Sequence, residues 1–188
     1  TGKFTIGNVA HTLLIGAEYI EQKFDWLRFR PNGTAATIPI TDRPIVNYTP
    51  PANQAPGLEL GKTRWNSVYV QDQMSLNEDG RLKLLVGGRF DDVRTQSSSS
   101  GIADKDVNDR AFTARGGLLY QLTPLHSMYF SVSQSFKPQN ALDLDINGNP
   151  LKPEKGIQYE AGVKGSFLDE RLLATAAIYK IEKSNVAV

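Results

Sequence analysis

The stretch Thr113–Phe136, TARGGLLYQLTPLHSMYFSVSQSF, places a polar or small residue at every second position through two otherwise apolar runs. In the first run Phe112, Ala114, Gly116, Leu118 and Tyr120 alternate with Thr113, Arg115, Gly117, Leu119 and Gln121. After Thr123-Pro124-Leu125-His126, Met128, Phe130 and Val132 alternate with Ser131, Ser133 and Ser135. Successive side chains of a strand point to opposite faces, so this period describes two strands that share one greasy face and meet at a tight turn.

The same period recurs on both sides of that hairpin. Leu13, Ile15, Ala17 and Tyr19 form one face of Thr12–Ile20, with Gly16 and Glu18 on the other. Val68, Val70, Met74 and Leu76 line one face of Trp65–Leu76, a pattern that Asp72 interrupts. Leu82, Leu84, Val86 and Phe90 alternate with Lys83, Gly87, Arg89 and Asp91. Tyr159, Ala161, Val163, Gly165 and Phe167 alternate with Gln158, Glu160, Gly162 and Lys164. The run Leu172–Lys183, LLATAAIYKIEK, has the propensity of a short helix, and its place in the series makes it a strand. With a strand end at Lys3–Ile6, the chain carries about eight strands and no helix.

Composition narrows what such a chain can be. Its 188 residues are 40% hydrophobic and 22% charged with a net charge of +1, which gives no bias toward nucleic acid. There is no cysteine, which excludes a disulfide framework and a thiolate metal site. No apolar run approaches the roughly 18 residues of a membrane-spanning helix. A transmembrane β-barrel passes the same test, because its strands need only about 9–11 residues of alternating polarity.

The connections alternate in length. Gly7–His11, Asn77–Gly80, Thr123–His126 and Leu168–Arg171 are short, whereas Leu27–Arg64, Val93–Asp109 and Lys137–Gly156 are long. In an up-and-down sheet this puts every tight turn at one edge and every long loop at the other. That is the arrangement of outer-membrane barrels, with short periplasmic turns and long extracellular loops. Aromatic groups near strand ends, Tyr19, Tyr120, Tyr129, Phe130, Tyr159 and Phe167, suit interfacial girdles. The expected fold is therefore all-β: an antiparallel up-and-down transmembrane β-barrel section of about eight strands. A soluble β-sandwich or lipocalin-like barrel is the competing architecture, and it would bury Leu82, Leu84, Val86 and Phe90 against a second sheet.

Particular strings carry a resemblance. SVYVQDQMSL (Ser67–Leu76) followed by LKLLVGGRFDD (Leu82–Asp92) resembles a strand pair of the TonB-dependent ferric-siderophore receptors. So do ARGGLLYQLTP, SMYFSVSQSFKP, LKPEKGIQYEAGVKG and ERLLATAAIYKIEKSNV in that order, with HTLLIGAEY at the front. The resemblance covers nearly the whole chain. It implies an outer-membrane receptor whose twenty-two-stranded barrel is filled by a plug, with residues 1–188 as a middle section of that barrel. The plug, the segment that engages TonB and the closing strand are not among these residues. The implied ligand is a ferric siderophore, with no covalently bound cofactor and no covalent chemistry. The implied partners are outer-membrane lipid and, through the plug, the TonB complex. A small outer-membrane barrel with a structural or adhesive role is the alternative.

Candidate site residues follow from the faces. Arg89, Asp91, Arg115, Glu160 and Lys164 fall on the polar, lumenal side, where an ion-paired wall would hold a plug or basic groups would meet an anionic ferric chelate. The first long loop offers Trp26, Arg28, Phe29, Arg30 and Tyr48, a basic and aromatic mixture suited to the same ligand. Asp143, Asp145, Asn147 and Glu154 satisfy the spacing of a calcium-binding EF-hand loop, although strands flank it where helices should stand and Pro150 and Pro153 stiffen it. Enzyme motifs are wanting: His11 and His126 fall at turns without catalytic neighbours, and Ser97–Gly101 is no nucleophile elbow.

Overall fold

The computed structural model describes residues 1–31, 54–99 and 102–187. They form a single antiparallel sheet of β1 (Gly2–Ile6), β2 (Val9–Pro31), β3 (Gln54–Ser75), β4 (Leu82–Ser99), β5 (Ile102–Thr123), β6 (His126–Lys137), β7 (Glu154–Phe167) and β8 (Leu172–Ser184). Spatial order equals chain order, so every strand lies beside its neighbours in sequence. The ambiguous last run is a strand, paired with β7 from Lys155↔Ser184 to Phe167↔Leu172.

The register sorts the side chains as the alternation requires. Ile15, Val70, Gly88 and Ala114 stand in one cross-strand row, and Leu84, Leu118, Phe130, Ala161 and Ile178 in another. These rows are exposed: Ile15 is 69% accessible, Val70 47% and Ile178 78%. Among the described residues the only buried apolar side chains are Val93, Ala111 and Ala141. A sheet this apolar on one side and this bare must face an apolar medium, since a contiguous patch of such size is not stable in water. The described residues hold no second sheet over Leu82, Leu84, Val86 and Phe90, which removes the sandwich.

Two expectations about the connections are corrected. β2 runs on to Pro31 and β3 resumes at Gln54, while β4 reaches Ser99 and β5 starts at Ile102. Much of the first two long connections is therefore strand. The reason lies on the outward face, where the apolar rows give way to charge: Glu21, Lys23, Lys62, Arg64, Asp92, Arg94, Asp106 and Arg110 continue the alternation above the apolar band. Salt bridges knit this belt, with Arg64 3.0 Å and Lys62 3.0 Å from Glu21, and Arg110 2.7 Å from Asp92. Arg94 pairs with Asp106. The third long connection, 138–153, remains a loop.

Two of the turns, Gly7-Asn8 and Pro124-Leu125, are shorter than expected, so His11 and His126 lie inside β2 and β6. His11 Nδ1 sits 2.6 Å from Asp72 Oδ2 and stacks on Phe4 with ring centroids 4.9 Å apart. This pairing accounts for the one acid that interrupts the apolar rows.

Candidate functional site

The opposite face of the sheet is polar, and its side chains come from rows that cross several strands. Glu18 (β2), Ser67 (β3), Asp91 (β4) and Ala111 (β5) share one row; Gly16, Tyr69, Arg89 and Thr113 share the next. Arg89 joins the two rows. Its Nη2 donates to Glu18 Oε2 at 2.6 Å and to Ser67 Oγ at 2.7 Å, and its Nε donates to Asp91 Oδ1 at 2.8 Å. Ser67 Oγ in turn donates to Asp91 Oδ1 at 2.6 Å, and Asp91 is only 3% exposed. The guanidinium also lies 5.9 Å from the Tyr69 ring centroid. Two carboxylates and an aromatic face thus engage this cation within the wall.

Tyr69 can lie flat because Gly16 faces it across the strands: a Cβ built there would fall 2.3 Å from the ring. Gly162 serves Tyr129 in the same way, at 2.7 Å. The Tyr129 hydroxyl donates to Glu160 Oε1 at 2.5 Å, Gln158 donates to Glu160 Oε2 at 2.9 Å, and Lys164 sits 5.0 Å from the Tyr129 ring centroid. Tyr129 is accordingly a wall residue of the polar face and not part of an interfacial girdle; its odd position in β6 sets the face.

Arg115 differs from Arg89. It donates to Gln71, a neutral partner, and stands exposed at the rim of a hollow of about 510 Å³ bordered by Leu14, Glu18, Tyr69, Arg89 and Gln134. Higher on the same face, Trp26 packs at 5.8 Å against Phe24 and is 56% exposed. Trp65 meets Phe136 edge-on at 6.0 Å. Arg28 and Phe29 belong to β2, and Tyr48 lies outside the described residues. The structure thus brings Arg89 and Arg115 to one hollow, with Asp91 buried behind Arg89, and sets Glu160 and Lys164 in a second cluster. Reasoning from sequence missed Glu18, Ser67 and Tyr69, whose only signal was their position on the polar face.

The acidic loop is closed by hydrogen bonds of its own. Asp145 Oδ1 accepts the backbone N–H groups of Asn147 at 2.9 Å and Asn149 at 2.8 Å, closing a turn in which Gly148 has φ of 80°. These bonds, the Asn149 backbone N–H first, hold the Asp145 carboxyl below the usual range. Glu154 instead pairs with Lys183 at 3.0 Å. Among the described residues no three His, Cys, Asp or Glu side chains could hold a metal ion together.

Comparison with known proteins places this wall in context. A family model described as TonB dependent receptor-like, beta-barrel matches residues 1–188. The ferrichrome outer membrane transporter/phage receptor of Escherichia coli K12 is 34% identical over 97% of this chain and 25% of its own length. A ferric-pyoverdine 358 receptor of Pseudomonas putida is 32% identical over 99% of the chain and 23% of that protein. Among solved structures, the ferripyoverdine receptor of the Pseudomonas aeruginosa outer membrane superposes with a TM-score of 0.73 at 24% identity, covering 97% of this chain and 24% of that one. The closed form of the ferric-catecholate import receptor of E. coli K12 gives 0.72 at 22% identity, covering 95% and 29%. These structural likenesses show the fold. The chain spans about a quarter of the length of the relatives it matches.

Proposed function

The chain belongs to the TonB-dependent receptor β-barrel family, and from that footing we propose that it forms part of the wall of an outer-membrane receptor that takes up a ferric siderophore through coupling to TonB. The observation that carries the reading is the two-faced sheet, which matches the family from residue 1 to residue 188. One face carries a continuous apolar band beneath a charged belt and suits lipid; the other is a polar wall suited to a lumen. Family members are outer-membrane receptors and transporters, so binding and translocation, not bond chemistry, are the work expected of these residues.

Within that reading the two arginines divide the labour. Arg89, engaged by Glu18 and Asp91, braces the wall. Arg115, held among the described residues by the neutral Gln71 alone, is the cation available to an anionic chelate, and Trp26, Arg28, Phe29 and Tyr48 would meet the ligand nearer the loops. A plug absent from these residues would rest against Glu160 and Lys164 and carry the TonB contact. The alternative of a small structural or adhesive barrel has no support from relatives that are all several times longer than this segment.

The test is uptake of radioactive iron by iron-starved cells that lack their own siderophore receptors and express the whole protein. Iron is presented in turn as ferrichrome, ferrioxamine B and ferric pyoverdine. Uptake of at least one, abolished by a protonophore and reduced by Arg115→Ala, is the expected result. A protein that reaches the outer membrane and takes up none of the three overturns the reading.

A further inference from the structure

The upper half of β5 has a strand on one side only. β5 pairs with β4 from Ile102 to Tyr120, but its pairing with β6 stops at Arg115↔Ser133. Beyond that rung β6 continues to Lys137 on β7 alone, and Phe136 meets Trp65 of β3 at 6.0 Å. A cleft of about 480 Å³ opens between the two strands, bordered by Ala111–Thr113, Gln134–Phe136 and the ends of β7 and β8.

The first rung of the gap is bridged by a side chain: Gln134 Oε1 accepts the Ala114 N–H at 3.1 Å, standing in for a strand carbonyl. Because N–H and C=O groups alternate sides along a strand, the groups of Phe112, Arg110, Asn108, Asp106 and Asp104 point the same way as those of Ala114. No strand partner takes them among the described residues. The arginines near this edge are engaged with β4 and its neighbour, Arg110 to Asp92 and Arg94 to Asp106. Asp104 on the outward face and Asp109 on the polar face have no ion-pair partner among the described residues. Burial alone raises the Asp109 carboxyl above the usual carboxylate range, so a cation placed beside it would relieve that cost.

We propose that the free edge of β5, residues 104–112, is a docking site for an extended polypeptide strand that carries cations five positions apart, one opposite Asp104 and one opposite Asp109. Strand addition supplies affinity through the backbone and register through the two carboxylates. An odd spacing puts the two cations on opposite faces of the added strand, as the carboxylates demand. The inference rests on the proposed function only for the side from which the partner arrives, which is the loop side and hence the cell exterior.

The probe is a fluorescent nonapeptide of valine and threonine with lysines at its second and seventh positions. It is offered to the protein isolated from the outer-membrane fraction and to intact cells. Three comparisons decide. The same peptide with N-methylated backbone should bind at least about tenfold more weakly, because charge is kept and strand pairing lost. Asp104→Asn with Asp109→Asn should weaken the unmodified peptide by a similar factor. Asn108→Pro should do so as well, since it removes an N–H of the free edge and none of the β4 ladder. Failure to bind, or equal binding of the N-methylated peptide, overturns the proposal. Binding to the isolated protein but not to cells leaves the strand site standing and overturns the outward orientation.

Discussion

Arg89 and Asp91 illustrate how charge is kept in the wall. Asp91 is almost fully buried, and its carboxylate survives there because Ser67 and Arg89 both donate to it. Replacing Arg89 with methionine leaves a buried anion with one hydroxyl for company, a change that costs on the order of 3–5 kcal/mol where a buried pair is broken from one side. The loss should show as a lowered midpoint for heat-induced unfolding on an electrophoretic mobility assay. Arg115→Met, whose partner is the neutral Gln71, should change stability by no more than about 0.5 kcal/mol and so barely move that midpoint. If the two variants lose stability alike, the division between brace and free cation is wrong. This division was not legible in the sequence. Alternation put both arginines on the polar face, but Glu18, Ser67 and Asp91 come from three strands, and only the register brings them to one side chain.

For the strands, legibility followed the apolar rows. Where Leu, Val or Phe stands at every second place, as in Leu82–Phe90, the strand and its faces could be read directly. Where the outward face turns charged, both faces are polar and the period is lost to the eye, so the upper parts of β2 to β5 read as loop. The faces themselves give a sharp expectation. Val86→Arg, on the apolar side, should destabilise the protein in lipid by roughly 2–4 kcal/mol, the depth-dependent cost of a cation on a barrel's lipid face, whereas Lys83→Arg, three residues away on the other face, should be neutral. Nitroxide labels at the two positions should report lipid at Val86 and water at Lys83; the same environment at both would refute the assignment. The charged belt makes its own prediction. Lys23, then Lys62 and Arg64, hold the Glu21 carboxyl far below the usual carboxylate range. A group whose folded value is depressed contributes fully above its unfolded value, about 4.3 for a glutamate, and loses that contribution progressively as pH falls from there through the folded value. Protection of the amides in the upper parts of β2 and β3 should therefore fall progressively as pH drops below about 4.3, after correction for the intrinsic rate. Glu21→Gln should lose that protection already at neutral pH, and an unchanged profile in the variant would count against the belt's role.

At the level of the molecule, fold class and topology were open to reading because nothing distant is needed to make them. Each strand pairs with the next in the chain, and the contacts that set each face are already written in the alternation. What could not be read is how the wall bends and where it parts: the inward lean of Phe136 onto Trp65 and the gap beside β5 depend on three-dimensional packing across several strands. The serial order has a further consequence. A wall in which neighbours in space are neighbours in sequence can change its circumference in units of one hairpin, since adding or deleting two strands keeps up and down, inside and outside, and turn side and loop side all in phase. A single-strand change would invert every hairpin that follows. Such a chain has one quantum of variation, and the bore of the vessel it lines can be resized by copying a short run of sequence with no new fold to invent.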